Sequence, residues 1–389
     1  MSPRSSRADS AGGTSGDFAR PCLADGSLPP TASELVGRNP RGALGQVSLA
    51  VRRHLIAAFP QPVTLLLAVS GGSDSLALAL AVADLAPRLG HRVTACTIDH
   101  GLRPESAAEA RQVARVLAAL GVANPQVATV SLPEGGGPEG AARTARWRAL
   151  RTYAGRLHAA DGRPVAICTG HTADDQAEGV LLALARGSGT HALAGMASGL
   201  EPGPRQMVEV HRPLLDVRRS TVRAALAQAG LAWIEDPTNR ADGPWRAADG
   251  SPLRRAAVRE DALPALARAL GVDPVPALAR TARLARADDA ALAAAADALV
   301  EAARVDPPQG ADCAADVAIL AAAPDAVRAR ALRALSVAAG AREGDLSAAH
   351  VAGLDAFVTS WSGQGALDLP GRVRARRVPQ SETLTWWRD

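Results

Sequence analysis

The chain has 389 residues, 47% of them hydrophobic and 3% aromatic, which predicts two or three domains that each bury a core. Its 43 basic side chains are all arginine, against 39 acidic ones. A chain without lysine cannot form a lysine Schiff base or use a Walker-type phosphate lysine. Arginine, backbone N–H groups or a metal ion must therefore hold any polyphosphate. Four scattered cysteines and the lack of a long apolar run argue against zinc ribbons, disulfide scaffolds and membrane spans and predict a cytoplasmic protein.

Residues 1–46 are rich in Ser, Gly, Pro, Arg and Asp and show no apolar period, so we predict a disordered extension there. From 47 to 215, a short leading helix is followed by apolar runs that alternate with stretches of helical spacing. The predicted strands are Val63–Val69, Val93–Ile98, Gln126–Val130, Val165–Thr169 and Val208–Pro213. The predicted helices between them are Ser75–Leu89, Glu105–Leu120, Glu139–His158 and Ala173–Ala185. This alternation predicts an α/β domain with a doubly wound, mostly parallel sheet.

The pattern changes after this domain. Residues 216–306 are dominated by long Ala/Leu/Arg stretches, and we predict a helical domain there. The Pro307–Gly310 stretch marks a boundary. Residues 311–389 are predicted to form a small α+β module, with helices followed by short strands at Ala366–Leu369 and Val373–Val378.

The strongest chemical motif lies directly after the first predicted strand and opens a helix. It is the run Ser70-Gly71-Gly72-Ser73-Asp74-Ser75. Two glycines permit a tight turn, and a helix N-terminus directs N–H groups at an anion. A carboxylate at Asp74 repels phosphate unless a cation intervenes, which implies Mg²⁺. A Ser/Gly turn that only caps the helix is the alternative.

Two further groups of candidate residues follow along the chain. Asp99 and His100 close the second strand, where open α/β sheets place a ligand crevice, although they could also cap the strand end. Arg143 and Arg146 lie three residues apart on one helical face, with Glu139 a turn earlier. The alternative for these three is an exposed, salt-bridged helix face.

An acidic helix start follows the fourth strand. His171, Asp174, Asp175 and Glu178 lie within eight residues of one another. Carboxylates at a helix N-terminus are ordinary partners of the helix dipole. The sharper hypothesis is that this group holds Mg²⁺ or orients an incoming amine, with Asp74 and Asp175 as the metal pair.

The glycine-rich run resembles the PP-loop of the N-type ATP pyrophosphatases, which split ATP into AMP and pyrophosphate. Other segments resemble, in the same order, motifs of the tRNA(Ile)-lysidine synthase family. They are Ile98–Arg103, Glu139–Trp147, Thr169–Glu178, Arg186–Gly189, Arg212–Leu215 and Glu235–Asn239. The similarity extends from about Leu65 to Leu266, and a weaker similarity is found at Leu369–Gly371.

This resemblance implies a ligase that adenylates the wobble cytidine of tRNA(Ile) with a CAU anticodon and then attaches free L-lysine. ATP and Mg²⁺ are implied as substrate and cofactor, without a DNA or membrane partner, and the oligomeric state stays open, a homodimer included. The implied ATP contacts are Ser70, Gly71, Gly72, Ser73, Asp74, Ser75, Asp99 and His100. The implied catalytic residues are Asp74, Asp175, Arg143, Arg146 and His171. The candidates for lysine or tRNA contact are Glu139, Asp174, Glu178, Arg186 and Arg259.

The chain departs from the family pattern at Gly179, Ala183 and Thr172, which replace the usual Thr, Arg and His. The usual Arg/Asn-rich stretch is also reduced, to Arg255–Arg259, after a Gly/Pro/Ala-rich insertion near Gly243–Pro252. Arginine-rich tracts at 212–259 and 371–389 predict contacts with tRNA phosphates, unless they reflect compositional bias. Candidates for stacking on unpaired bases, with core packing as the alternative, are Trp233, Trp245, Trp386 and Trp387.

Two other functions stay open. A PP-loop tRNA thiolase would activate its substrate similarly but transfer sulfur, and such enzymes generally need paired cysteines. A non-catalytic ATP- or tRNA-binding module is the second alternative.

Overall fold

The computed structural model describes residues 22–23, 25–101, 105–131, 138–187, 189–200, 208–236, 240–247 and 250–389, with only the backbone of Pro138, Glu139 and Leu200. The chain divides into two compact units, Met1–Ser188 with Gly195–Ala282, and Gly189–Ala194 with Arg283–Asp389. The predicted helical domain at 216–306 is thus divided between them. Within the described ranges, no helix combines the length and apolar character that a membrane crossing requires.

The first unit is built on a sheet whose strands are β1 Thr64–Ala68, β2 Arg92–Asp99, β3 Gln126–Thr129, β4 Val165–Thr169, β5 Gly199–Leu200 and β6 Glu209–His211. Their order is β3-β2-β1-β4-β6-β5, and all neighbours are parallel except the edge pair β5 and β6. This confirms the predicted doubly wound, mostly parallel sheet. The chain order reverses at β1, so the loops that follow β1 and β4 meet at one edge of the sheet.

Helices cover both faces of this sheet. Along the described residues, the helices of the first unit are α1 Ala32–Val36, α2 Gly42–Ala58, α3 Ser73–Leu85, α4 Ser106–Ala119, α5 Pro138–Asp161, α6 Ala173–Leu184, α8 Arg219–Gln228, α9 Arg254–Ala257 and α10 Leu263–Leu270. The helices of the second unit are α7 Thr190–Leu193, α12 Val317–Ala322, α13 Asp325–Ala338 and α14 Ala348–Thr359, and α11 Val275–Ala303 begins in the first unit and ends in the second. Alternate residues of β1 point to opposite faces. Leu65 and Leu67 join the core formed with α2, α3 and α8, whereas Leu66 packs with Leu150 of α5.

The N-terminal prediction was wrong for residues 31–46. A capping box between Thr31 and Glu34 starts α1, and the N–H of Thr31 donates to Glu34 Oε2 over 2.9 Å. The buried side chains of Val36 and Leu44 then join the main core. The prediction from composition failed because a few apolar residues at helical spacing are enough to form a helix when they pack against a hydrophobic surface of the same unit. Residues 1–21 and 24 lie outside the described residues.

The second unit contains an antiparallel sheet in the order β7-β8-β11-β10-β9. Its strands are β7 Arg304–Val305, β8 Cys313–Asp316, β9 Leu367–Leu369, β10 Val373–Val378 and β11 Thr383–Arg388. Strands β9 and β10 lie where the sequence predicted them, and α13 and α14 are the predicted helices. The structure confirms an α+β module but adds β7, β8 and β11 to it.

Trp386 of β11 occupies the centre of the second unit. Its side chain is 0% exposed, and its indole N–H donates to Ser336 Oγ of α13 over 3.0 Å. Base stacking is therefore excluded for Trp386 in this fold. Its neighbour Trp387 is only partly buried, and the guanidinium groups of Arg374 and Arg376 lie over its ring.

Trp386→Ala is expected to destabilise the second unit by about 3–5 kcal/mol, because it leaves a large cavity and removes the indole hydrogen bond to Ser336 Oγ. Trp387→Ala is the matched control and is expected to cost about 1 kcal/mol, mainly its cation–π contacts. Urea unfolding followed by circular dichroism measures both. Equal losses for the two variants would contradict the central role of Trp386.

Candidate active site

A cavity of about 560 Å³ opens at the edge of the sheet where β1, β2 and β4 end. All of its lining residues belong to the first unit. The predicted residues that the structure brings together there are Ser70, Gly72, Ser73, Asp74, Ser75, Asp99, His100, Arg143, Arg146, His171, Asp175 and Arg259. Segments separated by up to about half the chain thus converge on one crevice.

The loop after β1 is braced by its own side chains. Ser75 Oγ donates to the carbonyl of Gly72 over 3.0 Å and accepts from the N–H of Ser70 over 3.2 Å. Gly71 has a φ of +86°, and a Cβ there would lie 2.6 Å from Val113 and 2.7 Å from Ile234. Only glycine fits this turn, after which α3 starts at Ser73 and its first residues line the crevice.

A second glycine sets the distance between the loop after β1 and the loop after β4. A Cβ on Gly170, directly after β4, would lie 2.6 Å from the carbonyl oxygen of Asp74 and 2.8 Å from the N–H nitrogen of Ser75. These contacts are with backbone atoms, which cannot rotate away. The acidic start of α6 can therefore approach the Ser70–Ser75 loop only because residue 170 has no side chain.

One arginine that the sequence analysis did not place in the site lies at its centre. Arg219, at the start of α8, donates from Nε to Asp74 over 2.9 Å, from Nη2 to Asp175 over 2.8 Å and from Nη1 to Glu178 over 3.1 Å. Its side chain is only 14% exposed. The predicted metal pair, Asp74 and Asp175, is thus brought together on one guanidinium group.

Asp174 anchors this arrangement from outside the crevice lining. Its carboxylate accepts the N–H of Arg219 over 2.7 Å and two bonds from the side chain of Arg218. Arg212 is buried and donates to the carbonyl of Ala197 over 2.7 Å. The guanidinium groups of Arg212, Arg218 and Arg219 thus all have partners inside the unit, and the contact of this tract with tRNA phosphates stays a prediction.

Glu178 is fully buried and held by two arginines. Besides Arg219, it receives Nε and Nη2 of Arg259 over 2.7 and 3.0 Å. The Arg259 side chain is 35% exposed and reaches the cavity, whereas Glu178 does not line it. A fully buried carboxylate requires such charge compensation.

The neighbouring carboxylates of Asp74 and Asp175 respond differently to this environment. Burial raises the pKa of Asp74 above its ordinary value, against the attraction of Arg219. Burial also opposes ionisation of Asp175, but Arg219, His171 and the bonds from Thr172 together hold its pKa below the ordinary value. Thr172 donates from its N–H and its hydroxyl to Asp175 over 2.8 and 2.7 Å. The negative charge of Asp175 is thus better compensated by its surroundings than that of Asp74.

His171 faces the crevice as a neutral imidazole. Burial, with the nearby Arg212, Arg146 and Arg143, lowers its pKa to about 4 against the attraction of Asp175. Its Nδ1 lies 2.8 Å from Thr169 Oγ1, whose hydroxyl can donate to the carbonyl of His211 over 3.5 Å. Either neutral tautomer keeps one ring nitrogen as a hydrogen-bond acceptor.

Asp99 and His100 lie at the predicted end of β2. Asp99 is buried and accepts from the N–H of Gly101 over 2.9 Å and from Ser106 Oγ over 2.7 Å, so it also caps the strand end. Burial and Arg146 lower the pKa of His100. Both residues line the crevice.

Other predicted residues are not placed in this crevice. Arg186 is exposed after the end of α6 and does not line the cavity. The Glu139 side chain and residues 102–104 and 237–239 of the motifs lie outside the described residues. Within the described part of the chain, no group of three or more His, Cys, Asp or Glu is arranged to hold a metal ion unaided.

Comparisons with known proteins identify the family. A PP-loop domain profile matches residues 49–264, and a TilS substrate-binding domain profile matches residues 316–380. The tRNA(Ile)-lysidine synthase of Salinispora tropica is 46% identical over 340 residues, which cover 86% of this chain and 95% of that protein. The chain belongs to the tRNA(Ile)-lysidine synthase family.

Two further lysidine synthases support this membership. The Thermobifida fusca protein is 44% identical over 85% of this chain and 94% of its own length. The Streptomyces coelicolor protein is 45% identical over 82% of this chain and 84% of its own length. The resemblance drawn from the motifs is confirmed, and the chain is an enzyme of this ATP-using ligase family.

For this lysidine synthase chain, Gly170→Ala is expected to weaken ATP binding about tenfold or more, because relief of the overpacking separates β4 from the phosphate-binding loop. Gly179→Ala is the control: its Cβ meets no atom within 4 Å, so ATP affinity should be unchanged and α6 slightly stabilised. Isothermal titration with ATP measures both. Unchanged affinity in Gly170→Ala would show that the close approach is not needed.

The lowered pKa of His171 predicts a pH-dependent stability. Between pH 6.5 and about 4 the unfolded chain binds a proton that the folded chain does not, so stability falls by about 1.4 kcal/mol per pH unit as pH decreases. Above pH 6.5 both states are neutral at this residue, and the effect vanishes. His171→Gln should therefore show a shallower slope in urea unfolding across this range; parallel slopes would contradict the assignment.

Proposed function

We propose that the crevice joins free L-lysine to the wobble cytidine of tRNA(Ile) with a CAU anticodon, using ATP. One observation carries this proposal: the phosphate-binding loop and the acidic start of α6 lie side by side on a single cavity in a chain of the lysidine synthase family. A single crevice lets the activated cytidine meet the amine without leaving the protein.

In the first step, the C2 carbonyl oxygen of the cytidine attacks the α-phosphorus of ATP. The bond from that phosphorus to pyrophosphate breaks, leaving an adenylated cytidine. The hydroxyl groups of Ser70 and Ser73 and the N-terminus of α3 are suited to hold the phosphates. Arg143 and Arg146 line the same cavity and offset the charge that develops as pyrophosphate leaves.

In the second step, the amine of lysine attacks C2, and the C2–O bond breaks to release AMP with that oxygen. The attacking nitrogen must lose a proton. His171 lines the cavity as a neutral imidazole with one acceptor nitrogen, so we assign it as the residue that takes this proton. AMP is a far better leaving group than the unactivated ring oxygen, which explains why ATP is consumed.

Mg²⁺ would neutralise phosphate charge in the first step. The donor type fits, because carboxylate oxygens are the ligands that Mg²⁺ prefers and Asp74 and Asp175 present them beside the loop. We therefore keep these two residues as the proposed metal ligands. Arg219 supplies the compensating charge for both when the chain is alone.

Substrate contacts are proposed on both units. Arg259 reaches the cavity from its bonds with Glu178 and is a candidate for lysine or tRNA contact, together with Glu139 and Arg186. Asp174 is used to anchor Arg218 and Arg219. In the second unit, Arg376 and the partly exposed Trp387 suit contact with tRNA phosphates and bases. The cysteines are free, which fits a cytoplasmic enzyme.

The raised pKa values of two cysteine thiols make sulfur transfer the less favoured function. Burial raises the pKa of Cys96 to about 11, and burial with Glu209 raises that of Cys168 to about 12. Thiols held in this form are poor nucleophiles. A non-catalytic module is also less favoured, because the full set of Asp74, Asp175 and His171 lines the cavity.

The test incubates the purified chain with ATP, labelled lysine and a tRNA(Ile) transcript bearing the CAU anticodon. Lysine incorporation and equimolar AMP are expected, with no incorporation when the wobble cytidine is replaced by uridine. Folded protein that binds ATP but incorporates no lysine would refute the proposal.

Asp175→Asn is expected to lower the rate of lysine incorporation on the order of 100-fold, since the crevice loses one of the two proposed ligands of the Mg²⁺ ion that would neutralise the reacting phosphates. Asp273→Asn is the matched control. Asp273 is an exposed carboxylate that pairs with Arg218, so its rate should stay within about twofold of wild type. Equal rates in the two variants would remove Asp175 from the reaction.

A further inference from the structure

The carboxylates of Asp74, Asp175 and Glu178 form a cluster in which every oxygen already accepts a hydrogen bond. Asp74 Oδ1 accepts from Ser73 Oγ over 3.1 Å, and Asp175 Oδ2 accepts from Thr172. Glu178 Oε2 accepts from Arg259 over 3.0 Å. The other three oxygens, one on each carboxylate, all accept from Arg219.

Arg219 therefore occupies the position in which a cation would bind this cluster. Its planar group offers donors in fixed directions, and here each of three directions meets a different carboxylate. The guanidinium is 14% exposed and its pKa is raised further by the three acids, so it stays charged at any physiological pH. A divalent ion that entered beside it would meet both a like charge and occupied oxygens.

Phosphate changes this balance. A polyphosphate bound at the loop of Ser70–Ser75 adds negative charge beside Asp74, and its oxygens are acceptors that a guanidinium binds well. Arg219 lines the same cavity as that loop. The nucleotide thus brings both the charge that a metal ion needs and an alternative partner for Arg219.

We propose that Arg219 is an internal cation that keeps this carboxylate cluster closed to free divalent ions, so that the cluster accepts a metal ion only together with the phosphates of ATP. This inference rests on the proposed use of Mg²⁺ with ATP. Arg219 is a positioning residue here, since it acts through Asp74 and Asp175.

The test measures Mn²⁺ binding to the free chain by electron paramagnetic resonance, without nucleotide, lysine or tRNA. Wild type should bind Mn²⁺ weakly, and Arg219→Met should bind it about tenfold or more tightly, because a buried like charge is removed. The additional change Asp175→Asn should abolish the gain. Arg219→Met that binds no better than wild type would overturn the proposal.

Two further variants separate charge exclusion from general loosening of the fold. Arg218→Met removes an adjacent arginine that pairs with Asp174 and Asp273 instead, so it should bind Mn²⁺ as weakly as wild type. Arg219→Lys keeps the charge and should also bind weakly. Tight binding by either variant would contradict the proposal.

If Arg219→Met does not fold, Mn²⁺ binding by the wild-type chain and by Asp175→Asn still tests the proposal. Tight Mn²⁺ binding by the free wild-type chain that is lost in Asp175→Asn would overturn the inference, whereas weak binding unaffected by Asp175→Asn supports it. No readout uses tRNA or lysine, so a failure here is distinct from failure of the lysine incorporation assay.

Discussion

A single guanidinium joins three of the segments that line the crevice. Through Arg219, the start of α8 is bound to Asp74 after the phosphate-binding loop and to Asp175 and Glu178 on α6. Loss of one partner from such a buried ion group costs about 3–5 kcal/mol, because the remaining charges stay uncompensated. The relative positions of the loop after β1, the start of α6 and the start of α8 therefore depend on the Arg219 side chain. Because Gly170 lets the loops after β1 and β4 approach closely, Arg219 can reach all three acids.

The parts of this site that could be predicted are those that local sequence determines. The run at Ser70–Ser75 follows an apolar strand and opens a helix, so its conformation and its edge of the sheet follow from neighbours in sequence. The same holds for His171 and Asp175 after β4. Because parallel strands bring their carboxyl ends to one edge, their convergence was also predictable.

Arg219 was not predictable in this way. The clustered carboxylates of Asp74, Asp175 and Glu178 require a counter-charge, and in a chain without lysine that charge must come mainly from arginine. The chain has 43 arginines, and the sequence does not show which of them supplies it. Only the fold distinguishes Arg219 from the exposed members of the same tract. Similarly, the Cys313–Asp316 segment has little intrinsic preference for a strand. Its pairing with Thr383–Trp386, about seventy residues later, makes it one.

The arginine-only composition has a further consequence for the chemistry in this crevice. An adenylated base is an electrophile, and in most enzymes a nearby lysine side chain would be a rival nucleophile. The cations lining this cavity, Arg143, Arg146, Arg219 and Arg259 among them, are guanidiniums that stay protonated and hold no free lone pair for attack. The thiol of Cys96, at the same cavity, is kept protonated by burial. In the proposed reaction, the cavity thus offers neither a lysine amine nor a thiolate that would compete with the amine of the incoming amino acid for the activated base.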